Sequence, residues 1–204
     1  MLLHAKAIRR TNFANLNQSN RLLKNQKALI LLLSANAISH FAQGISMLAI
    51  PWYFAKYLGA ASTFATIYSV ATFITLFWGL YAGTLIDRFP RKNIFLGICA
   101  LSSVVLISVA SIGYAEGSIP MFWVAFVFCF TLFNYNIHYP TLYAFGQEIT
   151  EKENYSKTNS LLEVMGQSTN VLSGAMAVLL IEGIDTTIFG VSINVEAWPI
   201  HQIF

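Results

Sequence analysis

The sequence predicts an all-α, polytopic membrane protein, and three observations carry that prediction. The chain of 204 residues is 56% apolar and only 10% charged, whereas a soluble domain carries about 25% charge. Its apolar residues come in runs of roughly 18 or more, long enough to be membrane spans. Its few charges stand mainly between those runs. The net charge of +3 says little about partners, but the positions of the charges say a good deal.

Residues 1–27 form a basic stretch containing Lys6, Arg9, Arg10, Arg21, Lys24 and Lys27. It is too long for the basic region of a signal peptide. The apolar run after it is too long for a signal core, and no small-residue cleavage site follows. It reads as a cytoplasmic tail feeding a retained first helix. The first span is expected over residues 28–54. At 1.5 Å per residue that is about 40 Å, more than the roughly 30 Å hydrocarbon core, so it must tilt or emerge. Trp52, Tyr53 and Tyr57 stand where an interfacial aromatic belt would lie.

A short loop over 56–62 leads to a second span over 63–86. The charged turn Asp87-Arg88-Phe89-Pro90-Arg91-Lys92 ends it. The third span is expected over 93–115, and Glu116-Gly117-Ser118 makes a turn. Pro120 suits the first turn of the next helix. The fourth span is expected over 121–145, a polar loop over 147–158, and the fifth span over 159–181. The bundle thus covers 28–181. Residues 182–204 read as an outer loop followed by the start of a sixth span, stopped short.

Orientation follows from counting cations. With the N-terminus inside, six Lys/Arg lie in the tail, three in the second loop and two in the fourth, which leaves only Lys56 outside. That distribution obeys the positive-inside rule and supports the span count. The sequons Asn17-Gln18-Ser19 and Asn154-Tyr155-Ser156 fall on the inner side, where neither is expected to be glycosylated. Cys99 and Cys129 each lie inside an apolar run and read as buried thiols without metal-ligand spacing.

An internal repeat is also visible. The segment Gly79-Leu80-Tyr81-Ala82-Gly83-Thr84-Leu85-Ile86-Asp87 aligns without gaps to Gly174-Ala175-Met176-Ala177-Val178-Leu179-Leu180-Ile181-Glu182. Spans one and four both carry a late proline, Pro51 and Pro140. Spans one to three would then correspond to spans four to six in opposite orientation, an arrangement found in secondary transporters. Chance similarity between apolar segments is the alternative.

The segment from Gly83 to Lys92 resembles the loop between helices two and three of the major facilitator superfamily, whose pattern is close to Gly-x-Leu-Ala-Asp-Arg-x-Gly-Arg-Arg. Gly83, Leu85, Asp87, Arg88, Arg91 and Lys92 fit. Pro90 replaces the second glycine, and Ile86 replaces the small residue. The resemblance implies the N-terminal half of a major-facilitator-type fold, with five full spans and a partial sixth. It also implies a cytoplasmic gating loop made of Gly83, Asp87, Arg88, Arg91 and Lys92, with the acid central. Physically, Gly83 would let another helix approach. Asp87 ends a helix, where the dipole disfavours an anion, so it needs a cation, which Arg88, Arg91 or Lys92 could supply. The bland alternative is a short hairpin anchored by its charges, with Pro90 as a rigid turn.

Polar residues inside spans are costly and usually face a bundle interior or a wet cavity. Asn36, His40 and Gln43 share one face of span one, together with Met47. Asn134, Asn136 and His138 lie on span four beside Tyr135, Tyr139 and Pro140. Glu163, Gln167 and Asn170 share a face of span five. These nine polar residues are candidates for a substrate or proton site, with His40 able to titrate near neutral pH. The alternative is interhelical hydrogen bonding that only holds helices together.

Span four lacks the arginine motif of the family's drug-exporter branches, and Ser173-Gly174 stands where their Gly-Pro pair is expected. The sequence looks closer to bacterial efflux permeases. No nucleotide-binding glycine loop, catalytic carboxylate pair or nucleophile-base pattern is present. The expected protein is therefore a non-enzymatic secondary transporter in a bacterial inner membrane, without cofactor or metal. Its partners would be the lipid bilayer, a small-molecule substrate and a missing C-terminal half or second chain, with no nucleic acid. A membrane interaction protein that pairs with another half or with itself is the alternative.

Overall fold

A computed structural model describes the backbone of residues 2–188 and 191–204, and the side chains of residues 26–185 and 194–204. The first sequon and the tail cations Lys6, Arg9, Arg10, Arg21 and Lys24 lie outside the described side chains.

Helix α1 runs unbroken over Leu2–Lys56. The tail is therefore itself helical and continuous with the first span. No Gly or Pro precedes Gly44, so nothing in that stretch breaks a helix. The part of α1 apolar enough to span a membrane is Gln26–Lys56. Helices α2 (Ala61–Arg88), α3 (Arg91–Glu116), α4 (Met121–Glu148) and α5 (Tyr155–Glu182) follow. Five helices are thus long and apolar enough to cross a membrane.

The connections on one side are tighter than expected. Only Phe89 and Pro90 separate α2 from α3. Proline forces the residue before it into extended backbone, and Phe89 sits at φ −118° and ψ 152°. The Phe89 amide still donates to the Leu85 carbonyl, and Pro90 at φ −56° opens α3. Asp87 and Arg88 therefore belong to α2, while Arg91 and Lys92 belong to α3. Pro120 precedes α4 instead of entering its first turn. A short 3-10 turn at Lys152–Asn154 leads into α5 four residues earlier than the apolar pattern marks.

Residues after α5 hold an element the sequence reading missed. Strands β1 (Ile184–Ile188) and β2 (Val191–Val195) pair antiparallel, with Ile184 opposite Val195 and Ile188 opposite Val191. The signal was the density of β-branched residues in that stretch. Gly183 makes the junction at φ 70°, and a Cβ there would meet backbone atoms of Val195 and Ala197. The Trp198 amide returns to the Leu180 carbonyl at 2.7 Å, and α6 (Ile200–Ile203) starts after Pro199.

The core lies among α1, α4 and α5. Ile45, Ala49, Ile50 and Phe54 pack with Val124, Val127, Phe128, Ala177 and Ile181. Gly44 lets α1 and α5 approach so closely that a Cβ there would collide with the Ser173 side chain. Lipid tails offer no hydrophobic drive between helices, so such close packing carries the association. Much of α2 and α3 stays uncovered, including Phe73, Leu76, Leu80, Leu101 and Ile107.

The principal contacts respect the proposed repeat. Exchange of α1 with α4, α2 with α5 and α3 with α6 turns the α1–α5 contact into the α4–α2 contact. It likewise relates α3–α4 to α6–α1 and α1–α2 to α4–α5, and it returns α1–α4 and α3–α6 to themselves.

A polar layer between the first and fourth helices

The middle of the bundle is polar where α1 and α4 cross. Asn36, His40 and Gln43 turn inward from α1, and Asn134 and His138 turn inward from α4, and all five are buried. His138 Nε2 donates to Asn36 Oδ1 at 3.1 Å. Asn134 Nδ2 donates to Ser102 Oγ of α3 at 2.6 Å and to Gln43 Oε1 at 3.4 Å. Gln43 Nε2 in turn donates to Ser39 Oγ at 2.7 Å. The i, i+4 spacing on each helix produces this seam. Ser39 and Ser102 were missed because serines are common along apolar helices and carry no spacing signal here.

His40 is fully buried, and its ring lies 5.5 Å from that of His138. Tyr139 meets it edge-on at 5.0 Å, and Tyr135 lies at 5.9 Å. Neither ring nitrogen of His40 has a partner among the described residues, and the same holds for His138 Nδ1, Asn36 Nδ2 and Thr141 Oγ1. Buried polar atoms are normally satisfied by protein or by ordered water.

The other sequence candidates lie outside this seam. Asn136 turns to the neighbouring side of α4, where its Nδ2 donates back to the Leu132 carbonyl at 2.9 Å, in a recess with Tyr139 and Pro140. Asn170 lines an open recess with Gly44, Met47, Tyr135 and Tyr139. Glu163 and Gln167 are exposed on α5, with Gln167 Nε2 donating to Glu163 Oε1 at 2.9 Å. The Tyr143 hydroxyl donates to the other Glu163 oxygen. Glu163 stands more than two turns beyond the first residue of α5, because that helix begins four residues before the expected span.

Charged groups concentrate at the two ends. Arg91 Nη1 meets Glu148 Oε2 at 3.4 Å, which ties the start of α3 to the end of α4. Asp87 joins neither of the two ion pairs found among the described residues. Arg91 is thus spent on Glu148, an acid the sequence reading left in a loop, and Asp87, Arg88 and Lys92 stay exposed. No atom stands within 4 Å of where a Gly83 Cβ would be. The close approach expected at Gly83 is not made within this bundle.

At the opposite end Glu182 pairs with Lys56, and Trp52 Nε1 donates to it at 2.6 Å. The Tyr57 hydroxyl donates to the Ile181 carbonyl at 2.7 Å. The ends of α1 and α5 are thereby clasped, using the aromatic belt read from the sequence. Among the described residues no cluster of three or more His, Cys, Asp or Glu has the geometry to hold a metal ion.

Five membrane-length helices around a polar layer define a polytopic membrane protein, and such an architecture is that of secondary transporters. The sequence pattern of the Major Facilitator Superfamily matches residues 5–191, and the chain belongs to that family of transporters. No curated protein and no solved structure matches it.

Proposed function

We propose that this bundle is one half of an alternating-access transporter that exports a small molecule from a bacterial cell at the expense of an ion gradient. It rocks against a second six-helix bundle, on the same polypeptide or another, around a cavity at mid-membrane. The carrying observation is the polar layer, with His40 and His138 near the middle of their helices and the open recess of Tyr135, Tyr139 and Asn170 beside it. Polar groups at that depth mark substrate or ion paths. The nine polar candidates act here as cavity or support residues, and Glu163 is the acid on the open face.

The exposed helix-end residues Asp87, Arg88 and Lys92, with the open Gly83, form the surface that meets the second bundle at the cytoplasmic side. The N-terminus is cytoplasmic in this reading, and the membrane is the bacterial plasma membrane. The sequence carries no nucleotide-binding glycine loop, and an ion gradient is the energy source in this reading.

The test is reconstitution in proteoliposomes with an imposed proton or sodium gradient. Gradient-driven movement of solute is expected only when a second six-helix bundle is present. Transport by this chain alone would overturn the half-transporter reading. A stable self-associated complex without substrate binding would favour a membrane interaction protein instead.

A further inference from the structure

Glu163 of α5 meets Tyr143 of α4 on an exposed side of the bundle. Among the described residues Glu163 is the only acidic side chain more than two helical turns from both ends of its helix. Its carboxylate is exposed and accepts from Tyr143 and Gln167. A charge within a candidate membrane span is costly against lipid tails and belongs to a wet cavity or binding surface.

A tyrosine stripe runs beside it. Tyr135, Tyr139 and Tyr143 follow i, i+4, i+8 on α4 and share one face. The first two rest on the buried His40 ring, so their positions are backed from below. Tyr143 joins the stripe to Glu163, while Tyr139 and Asn170 line the same recess with Met47. Tyr143 thus links the acid to the stripe whose members Tyr135 and Tyr139 line the recess between α1, α4 and α5.

That chemistry selects for charge sign. A carboxylate near low-dielectric surroundings attracts a cation strongly. Aromatic rings present their negative faces to it, and Met47 adapts to apolar bulk. An anion would meet repulsion, and a neutral ligand would gain nothing from the acid. We propose that this recess binds a lipophilic organic cation, with its charge against Glu163 and its apolar groups over Tyr135 and Tyr139. The inference names the substrate class of the transporter proposed above, and it rests on that reading only for the bound cation being cargo.

The recess is built wholly from this chain, so binding can be measured on it directly. The chain would be placed in nanodiscs of zwitterionic lipid, with empty nanodiscs as the blank. Three probes of similar bulk differ in charge: tetraphenylphosphonium, neutral triphenylphosphine oxide and anionic tetraphenylborate. Equilibrium dialysis is expected to show saturable phosphonium binding about tenfold tighter than the oxide, with no saturable borate binding. Glu163→Gln should lower phosphonium affinity about tenfold and leave the oxide unchanged, while Glu163→Asp retains the preference. Circular dichroism checks that the helices persist. Equal binding of the three probes, the absence of saturable phosphonium binding, or an unaltered Glu163→Gln variant would each overturn the proposal. Cation binding without gradient-driven transport in the two-bundle assembly would defeat only the transporter reading. Transport without cation binding would defeat only this one.

Discussion

Asn36 of α1 and His138 of α4 meet at 3.1 Å with both side chains out of reach of solvent. This pair joins the two helices at the centre of the bundle, and it leaves Asn36 Nδ2 and His138 Nδ1 without protein partners. Interhelical hydrogen bonds in membranes average about 0.6 kcal/mol and reach about 1.7. A double-mutant cycle with Asn36→Leu and His138→Leu should return a coupling in that range. Unfolding in mixed detergent measures it. A coupling indistinguishable from zero would mean that the two helices are held by packing alone.

Gly44 and Gly83 should respond in opposite ways. A methyl at Gly44 would collide with the Ser173 side chain, whose Oγ donates to the Asn170 carbonyl at 2.9 Å. Gly44→Ala is expected to cost about 1–3 kcal/mol, as overpacked sites do. Adding Ser173→Gly should recover much of that loss by removing the obstructing atoms. Gly83 meets nothing within 4 Å. Gly83→Leu should leave the stability of this chain within about 0.5 kcal/mol or raise it slightly through helix propensity. The same change should block assembly with a second bundle, read by cross-linking in the membrane. If Gly83→Leu unfolds the chain, a packing contact exists there that the fold described above does not contain.

The spans were legible because lipid makes hydrophobicity nearly a one-to-one code for depth. Arg88 and Arg91 bracket a connection of two residues that the apolar pattern placed within a few positions. The inward turn of Asn36, His40 and Gln43 was legible for the same reason, since a polar stripe on an apolar helix has one tolerable direction. Partner choice was not. Arg91 pairs with Glu148 across helices instead of with Asp87 nearby, because reach depends on how the ends of α3 and α4 sit together. The tyrosine stripe on α4 went unread as a unit, since its members are scattered among other aromatic residues and only the Tyr143–Glu163 contact gives it direction. The hairpin was not legible because its β-branched residues alternate with polar ones in a short stretch between two expected spans, where an outer loop fits as well.

Orientation is open to direct measurement. With the N-terminus inside, Phe89 and Leu58 lie on opposite sides of the membrane, one at each end of α2. Cys99 and Cys129 would first be replaced by Ala, and single cysteines introduced as Phe89→Cys or Leu58→Cys. A membrane-impermeant maleimide added to intact cells should label the second and spare the first until the cells are opened. The reverse pattern would invert the topology and place Lys56 alone on the cytoplasmic side, against the charge rule.

Gly183 should control whether the hairpin docks. It sits at φ 70°, a conformation that side-chain-bearing residues resist, and a Cβ would press against the Val195 carbonyl. Replacement by Ala adds both a backbone penalty and a contact that cannot relax, because the obstruction is main chain. The expected loss is about 1 kcal/mol or more. It should fall on the local opening of the hairpin and not on the five-helix bundle. Hydrogen exchange at the Trp198 amide, which donates to the Leu180 carbonyl at 2.7 Å, should quicken about fivefold or more, in line with that loss. Amides in the middle of α1 and α4 should keep their protection. Unchanged exchange at Trp198 would show that the hairpin is held by contacts other than its junction with α5.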